Sequence, residues 1–144
     1  MENKISEKFI LKHIENLVKN EPNWIANLSN ASALLKDTLD QINWVGFYLW
    51  ELVLGPFQGR VACIRIASGK GVCGTAFEQR KTLVVPDVNE FPGHIFCDTA
   101  SQSEIVVPLI KDGKAIGVLD VDAPIKNRFG TEEKELLESF VEVF

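Results

Sequence analysis

The stretch EIVVPLIKDGKAIGVLDVDAP, residues 104–124, contains two apolar runs on either side of Lys111-Asp112-Gly113-Lys114. Asp-Gly between two such runs is a strong signal for a tight turn, because both central positions of a two-residue hairpin turn require a positive φ. We therefore predict an antiparallel β-hairpin in this stretch, as part of a central sheet.

Other strand patterns precede the hairpin. Aromatic and β-branched residues favour strands in NWVGFYLW (43–50), in ELVLG (51–55), in ACIRIAS (62–68) and in TLVVPDV (82–88), the last of which is interrupted by proline. The first two meet at Trp50-Glu51, which offers no Gly, Asn or Asp for a turn. This junction suggests that a few residues are missing between the two strands.

Helical periodicity flanks the strands. Apolar residues three or four apart predict a helix from Ser6 to Val18, with Ser6 as the N-cap, and a second helix in NWIANLSNASALLKDTL (23–39). A glycine-punctuated turn leads into a short helix in GKGVCGTAFEQRK (69–81), and a C-terminal helix opens at Thr131 with a Thr-x-x-Lys cap. Helices thus bracket a mainly antiparallel central sheet, which makes the fold α+β.

The composition fits one globular domain. The chain has 144 residues, of which 46% are apolar and 24% are charged, so it can bury a substantial core. We expect a single domain over 1–144, with N-terminal helices in 1–40, the sheet and active-site loops in 43–129 and the C-terminal helix in 131–144.

Charge and cysteine content argue against several function classes. Fifteen basic and twenty acidic residues give a net charge of −5 without a Lys/Arg cluster, so a nucleic-acid partner is not expected. The N-terminal MENKISEKFILKHIENL mixes charges with apolar residues and fits neither a secretory signal nor a membrane span, so we expect a cytoplasmic protein. Three cysteines, an odd number, leave buried thiols or redox chemistry rather than a structural disulfide framework. No metal is expected, because the cysteines show no Cys-x-x-Cys pair and neither histidine stands at ligand spacing from them.

The acids of the hairpin form a first candidate site. Asp120 and Asp122 alternate with apolar residues, so both carboxyls point to the same face of a strand. Two like charges on one face become reasonable if they face a cavity that receives a cation, such as the ammonium group of a free amino acid, and if one is partly protonated by the field of the other. Glu104, just before the preceding apolar strand, could complete the cluster. The alternative is an ordinary solvated strand face.

The cysteines form a second candidate site. Cys97 lies within residues 89–103, which show no period, and functional residues are frequent on such loops. Cys73 lies at a predicted helix start, where the helix dipole can lower the pKa of a thiol. Cys63 lies in a predicted strand. The alternative for Cys97 and Cys63 is that each is an inert thiol. The alternative for Cys73 is that the glycine-rich turn simply tolerates a small side chain.

Several blocks follow one another along the chain: WIANLSNASALL, NWVGFY, LVLGPFQG, GKGVCGTA, VPDVNEFPGHIFCDTASQSEIVVPL and GVLDVDAP. In this order they resemble the free methionine-(R)-sulfoxide reductases, a GAF-domain family, from about Trp24 to Phe129. The resemblance is specific, because the three cysteines and the acids lie inside the matching blocks, whereas a GAF fold alone would fit many ligand-binding domains. The junction at Leu49-Trp50-Glu51-Leu52 is shorter than that family usually has.

The resemblance implies a single GAF-like domain and a thiol chemistry. A thiolate attacks the sulfoxide sulfur, an acid protonates the oxygen, and the resulting sulfenic acid condenses with a second thiol to a disulfide. The implied nucleophile is Cys97, the implied resolving thiol is Cys63, and Cys73 is an alternative or secondary resolving thiol. No resident cofactor is implied, and an external reductant, thioredoxin by expectation, would recycle the disulfide.

The same resemblance implies roles in a substrate pocket. Glu104 and Asp122 are expected to hold the sulfoxide oxygen, and Asp120 the amino group. Trp44 and Tyr48 fall on one face of a strand, where the family uses an aromatic against the methylthio end of the ligand. The alternative is that both are core aromatics.

Two functions are therefore weighed. The first is thiol-dependent reduction of free L-methionine-(R)-sulfoxide to L-methionine. The second is a non-catalytic GAF sensor that binds a small metabolite or a cyclic nucleotide, although a sensor has no need of thiols around an acidic pocket. The amphipathic terminal helices could also serve a homodimer.

Overall fold

The computed structural model of the protein describes residues 6–95 and 97–144; residues 1–5 of the expected N-terminal helical segment lie outside them. Its main helices and strands are, in chain order, α1 (Glu7–Val18), α2 (Trp24–Thr38), β1 (Trp44–Leu49), β2 (Val53–Gln58), α3 (Gly71–Gln79), β3 (Leu83–Val85), β4 (Ser103–Lys111), β5 (Lys114–Ala123) and α4 (Thr131–Val141). In this part of the chain, no helix has the length and apolar character needed to cross a bilayer.

The strands form one five-stranded sheet in the order β2-β1-β5-β4-β3, and each neighbouring pair is antiparallel. The predicted hairpin lies within it. Asp112 and Gly113 join β4 to β5 with φ values of 51° and 77°, as a two-residue turn requires. An antiparallel sheet bracketed by helices confirms the α+β prediction.

The two faces of the sheet carry different layers. One face packs against α1, α2 and α4 and forms the main core, to which β5 contributes Leu119 and Val121. The other face is covered by α3, and a second apolar cluster there contains Trp44, Tyr48 and Val106. Because side chains alternate along a strand, the residues of β5 that alternate with Leu119 and Val121 point toward α3.

The helix caps follow the prediction at α1 and differ from it at α4. The Ser6 hydroxyl accepts a hydrogen bond from the Phe9 amide at 3.2 Å, so Ser6 is the N-cap of α1 as predicted. At α4 the N-cap is Gly130, and Thr131 is the first helical residue. The Glu133 carboxylate accepts a hydrogen bond from the Gly130 amide at 2.7 Å, which satisfies the amide of the N-cap residue itself.

Residues 62–68 are not a strand, and this prediction was wrong. Their apolar alternation suggested one, but among them only Ile66 is buried, and their pairing with β2 is a single bridge between Val53 and Arg65. The segment runs instead as irregular chain between β2 and α3. We call residues 60–66 the strap.

The short junction between β1 and β2 is closed by left-handed residues. Trp50, Glu51 and Leu52 have φ values of 35°, 57° and 57°. For non-glycine residues this conformation costs about 1–2 kcal/mol each. The Trp50 amide donates to the Ile116 carbonyl at 2.9 Å and Leu52 is buried, so the neighbouring structure holds the turn in place.

The terminal helices pack mostly within the monomer. Ile10 and Ile14 of α1 and Leu137 and Phe140 of α4 lie in the main core. Phe9 is 53% exposed on the outer side of α1. A homodimer through these helices stays a prediction.

Candidate active site

The candidate site lies on the α3 face of the sheet, where three neighbouring strands bring polar residues into one row. Asp122 in β5 is paired with Trp44 in β1 on one side and with Glu104 in β4 on the other. Asp120, two residues before Asp122, points to the same face. The strand register therefore collects the acids that the sequence singled out.

A pocket of about 490 Å³, counted to its open mouth, lies over this row. Its walls come from β1, β4 and β5, from the start of α3 and from the strap. The loop before β4 adds His94, Ile95, Cys97, Asp98 and Ser101. Of the predicted site residues, those that line it are Trp44, Tyr48, Cys73, Cys97, Glu104, Asp120 and Asp122.

Burial favours the protonated forms of the acids in the pocket. Glu104 and Asp120 are each only 6% exposed. Burial, followed by repulsion from Asp122, raises the pKa of Glu104 to about 8. Burial also raises the pKa of Asp120 and of Asp122 well above the usual aspartate value, and repulsion from the neighbouring acids adds to it. A buried cluster of this kind can donate a proton near pH 7.

Two carboxylate oxygens of the cluster are unsatisfied. Asp120 Oδ1 and Asp122 Oδ1 are buried and have no hydrogen-bond partner among the residues that the structure describes. Buried acceptors in folded proteins nearly always have a partner. The missing partners of these two oxygens fit a pocket whose ligand supplies N–H or O–H donors.

Cys73 belongs to this cluster and is not the activated thiol that a helix start would favour. It lies in the first turn of α3, but burial, followed by the charges of Asp120 and Glu104, raises the pKa of its thiol. Its Sγ lies 4.0 Å from Glu104 Oε2. Three possible metal ligands lie close together here: one atom each from Cys73, Glu104 and Asp120, all within 4.8 Å of one another. Burial favours the protonated forms of these groups, and they would have to lose their protons before they could hold a metal ion.

Cys63 and Cys97 form a disulfide, with their Cα atoms 5.5 Å apart. Cys97 lines the pocket, whereas Cys63 lies in the strap at its edge. Cys73 remains a free, buried thiol. The structure thus selects one pairing among those that the sequence left open.

The aromatic side chains of β1 form one wall of the pocket. Trp44 stacks between Tyr48 and Phe57, with ring centroids 6.0 Å and 5.3 Å away. Trp44 Nε1 donates to the Arg60 carbonyl at 3.0 Å, and the Tyr48 hydroxyl donates to the Cys63 carbonyl at 2.9 Å. Both aromatics therefore line the pocket and also fasten the strap to β1, and their contact with a ligand stays a prediction.

The chain is similar to known proteins over most of its length. The GAF domain family model matches residues 25–144. The free methionine-R-sulfoxide reductases of Escherichia coli and Saccharomyces cerevisiae are 50% and 47% identical to it, covering 87% and 96% of this chain and 78% and 83% of their own lengths. A structure of fRMsr of Staphylococcus aureus in complex with substrate superposes with a TM-score of 0.93 at 55% identity, covering 99% of this chain and 95% of that one.

The chain belongs to the free methionine-(R)-sulfoxide reductase family of GAF-domain proteins.

A supporting network in this family member was missed by sequence reasoning. The Asn43 side-chain amide donates to Asp98 Oδ2 at 3.0 Å and to the Ser101 hydroxyl at 3.1 Å, and that hydroxyl donates to Asp122 Oδ2 at 2.9 Å. Asp98 directly follows Cys97, so the network ties the cysteine loop to the acid cluster. A polar side chain just before β1 and an Asp-x-x-Ser turn after the cysteine were the available signals.

The site predicted from the sequence also left out His94, which lines the pocket. Its Nε2 lies 3.3 Å from Glu104 Oε1, and both side chains are almost fully buried. Burial lowers the pKa of His94, which favours the neutral imidazole. The contact between His94 and Glu104 is therefore favoured as a hydrogen bond between neutral groups rather than as an ion pair.

Proposed function

We propose that the protein reduces free L-methionine-(R)-sulfoxide to L-methionine with Cys97 as the nucleophile. The single observation that carries this proposal is the placement of Cys97, disulfide-bonded to Cys63, on the wall of the same pocket that Glu104, Asp120 and Asp122 line. Its family membership supports the same reaction, since the named relatives are free methionine-R-sulfoxide reductases.

The reaction begins on reduced enzyme. The Cys97 thiolate attacks the electrophilic sulfur of the sulfoxide, and a proton from Glu104 or Asp122 passes to the departing oxygen. The oxygen leaves the substrate and ends on the cysteine, so methionine is released and Cys97 becomes a sulfenic acid. The thiol of Cys63 then displaces water from that sulfenic acid and forms the disulfide seen in the structure.

The acid cluster also suits the amino group of a free amino acid. An ammonium group placed against Asp120 would satisfy its unpartnered Oδ1 and would draw its proton away, since a nearby cation lowers the pKa of a carboxyl. Glu104 and Asp122 then remain for the sulfoxide oxygen. Trp44 offers an apolar face for the methylthio end.

The start of α3 offers a place for the carboxylate. Lys70 and Gly71 line the pocket, and the N-cap position of α3 makes no side-chain capping hydrogen bond among the described residues. First-turn amides that are not capped can bind an anion, with help from the Lys70 ammonium. Recognition of both ends of the amino acid would exclude methionine sulfoxide within a peptide.

The disulfide must be reduced before a second turnover. A dithiol protein of the thioredoxin type is the reductant that we propose, and a reducing compartment such as the cytoplasm is the location that suits it. No bound cofactor takes part in these steps.

The proposal is tested by turnover. Reduced protein is incubated with dithiothreitol and each separated epimer of free methionine sulfoxide, and methionine is quantified. Methionine from the (R)-epimer alone, and none from N-acetylated methionine sulfoxide, is expected. Binding of the sulfoxide without any methionine would favour the alternative of a non-catalytic GAF sensor.

A further inference from the structure

The strap presents apolar side chains to solvent on either side of the disulfide-bonded Cys63. Val61 is 87% exposed and Ile64 is 68% exposed. Ile95, two residues before the disulfide-bonded Cys97, is 37% exposed at the pocket wall. Single exposed apolar residues are ordinary, but a group of them around one reactive bond marks an interaction surface.

The strap is held in this orientation by its backbone. Carbonyl groups of Arg60 and Cys63 accept hydrogen bonds from the Trp44 and Tyr48 side chains. The Ile64 carbonyl accepts from the Leu54 amide at 2.8 Å, and the Ile66 amide donates to the Leu52 carbonyl at 3.0 Å. Polar backbone groups therefore face the domain while Val61 and Ile64 face outward. A surface anchored in this way loses little conformational freedom when a partner binds it.

The rim of this surface is positively charged. Arg60, Arg65 and Lys70 are exposed. Within residues 6–95 and 97–144, the ion pairs of the structure involve neither arginine. The chain as a whole has a net charge of −5, so a local excess of positive charge stands out. It complements a partner that carries acidic side chains around its own reactive group.

We propose that the outward face of the strap, formed by Val61 and Ile64 with Ile95 and rimmed by Arg60 and Arg65, is the docking surface for the dithiol protein that reduces the Cys63–Cys97 disulfide. The inference rests on the proposed function, because only a thiol-recycling enzyme needs such a partner. The occupant is a thioredoxin-type protein with an apolar surface beside its dithiol and acidic residues around it.

Docking on the strap also selects the sulfur that is attacked. Cys97 lines the pocket, whereas Cys63 lies in the strap beside Ile64. A thiolate of the docked protein attacks Cys63 Sγ, the Cys63–Cys97 bond breaks, and Cys97 leaves as a thiolate that takes up a proton. The second thiol of the partner then attacks the sulfur of the partner's first cysteine in the mixed disulfide, and Cys63 is released. Two electrons pass to the enzyme, and the partner becomes a disulfide.

The test measures reduction of the disulfide itself and needs no sulfoxide. Oxidised protein is mixed with reduced thioredoxin, and free thiols are trapped and counted over time. The variant Val61→Glu/Ile64→Glu is expected to lower the second-order rate constant about tenfold or more, because carboxylates replace the apolar contacts at the docking surface. The matched control is Ile25→Glu, a substitution at a 71% exposed residue of α2, on the opposite layer of the domain, and it should leave the rate unchanged.

Dithiothreitol separates docking from access to the disulfide. Dithiothreitol should reduce the protein disulfide at the same rate in the wild type and in Val61→Glu/Ile64→Glu, since a small dithiol needs no docking surface. An unchanged thioredoxin rate in this variant, or an equal loss with both reductants, would overturn the proposal. A thioredoxin whose second cysteine is replaced by serine should be trapped on Cys63, and its capture on Cys97 would also contradict the inference. Failure of the reductase proposal would appear separately, as absence of methionine from the dithiothreitol-driven turnover assay.

Discussion

Replacement of Glu104 by glutamine should stabilise the protein increasingly as the pH rises. Glu104 has its pKa raised from the ordinary 4.5 to about 8 in the folded protein. The folded state therefore keeps the proton over a pH range in which the unfolded chain has lost it. The stabilisation that this proton provides is complete below pH 4.5 and is lost as the pH rises through 8. Glutamine has nearly the same shape and does not titrate.

The magnitude follows from the two pKa values. Each pH unit between them changes the free energy of unfolding by about 1.4 kcal/mol, so the whole interval is worth roughly 5 kcal/mol as an upper limit. We expect Glu104→Gln to gain stability over the wild type by about 1 kcal/mol for each unit between pH 5 and pH 8, with no further gain above about pH 9. The same variant should form methionine at least about a hundredfold more slowly, because an amide cannot serve as the acid.

Urea unfolding of the disulfide-bonded form at several pH values measures this difference, since the paired cysteines do not titrate. Glu135→Gln, at an exposed glutamate of α4, is the control and should keep the pH dependence of the wild type. Parallel stability curves for the wild type and Glu104→Gln from pH 5 to pH 9 would refute the argument that burial keeps Glu104 protonated.

Other consequences of the structure can be checked in the same protein. Cys63→Ser should still form one methionine per chain but should fail to turn over with thioredoxin, which a burst experiment would show. Asp120→Asn should raise the KM for free methionine sulfoxide about tenfold or more, with a smaller effect on kcat, because it weakens the contact to the ammonium group in both the ground state and the transition state. Gly46→Ala should lower the free energy of unfolding by about 1–3 kcal/mol in thermal or urea unfolding, because its methyl group would meet Phe57 and lie 2.7 Å from the Trp44 ring.

The sequence predicted those parts of the fold that local patterns determine. A tight turn at Asp112-Gly113 requires positive φ values, which these residue types tolerate. The alternation of Asp120 and Asp122 with apolar neighbours places both acidic side chains on the same face of a strand. Both predictions match the structure. Residues 62–68 were mistaken for a strand because their composition favours one, but only Ile66 among them is buried and their pairing with β2 is a single bridge.

Predictions that depend on distance between separate segments were beyond the sequence. Cys63, Cys73 and Cys97 are all compatible with pairing until their positions are known, and only the structure places Cys63 and Cys97 within bonding distance. The pKa of Cys73 is governed by burial beside carboxyls from two strands, which outweighs the helix start that its own segment reveals. The contact between His94 and Glu104 joins a loop to a strand in the same way.

A single turnover tests most directly whether the Cys97 sulfur carries out the reduction inside the acid-lined pocket. Fully reduced wild-type protein is mixed with free methionine-(R)-sulfoxide without any external reductant, and methionine and remaining thiols are counted in the same sample, alongside Cys97→Ser. The wild type should yield one methionine per chain, lose the thiols of Cys63 and Cys97 and give a single Cys63–Cys97 disulfide on peptide mapping, while Cys97→Ser yields none. Stoichiometric methionine from Cys97→Ser would contradict the assignment.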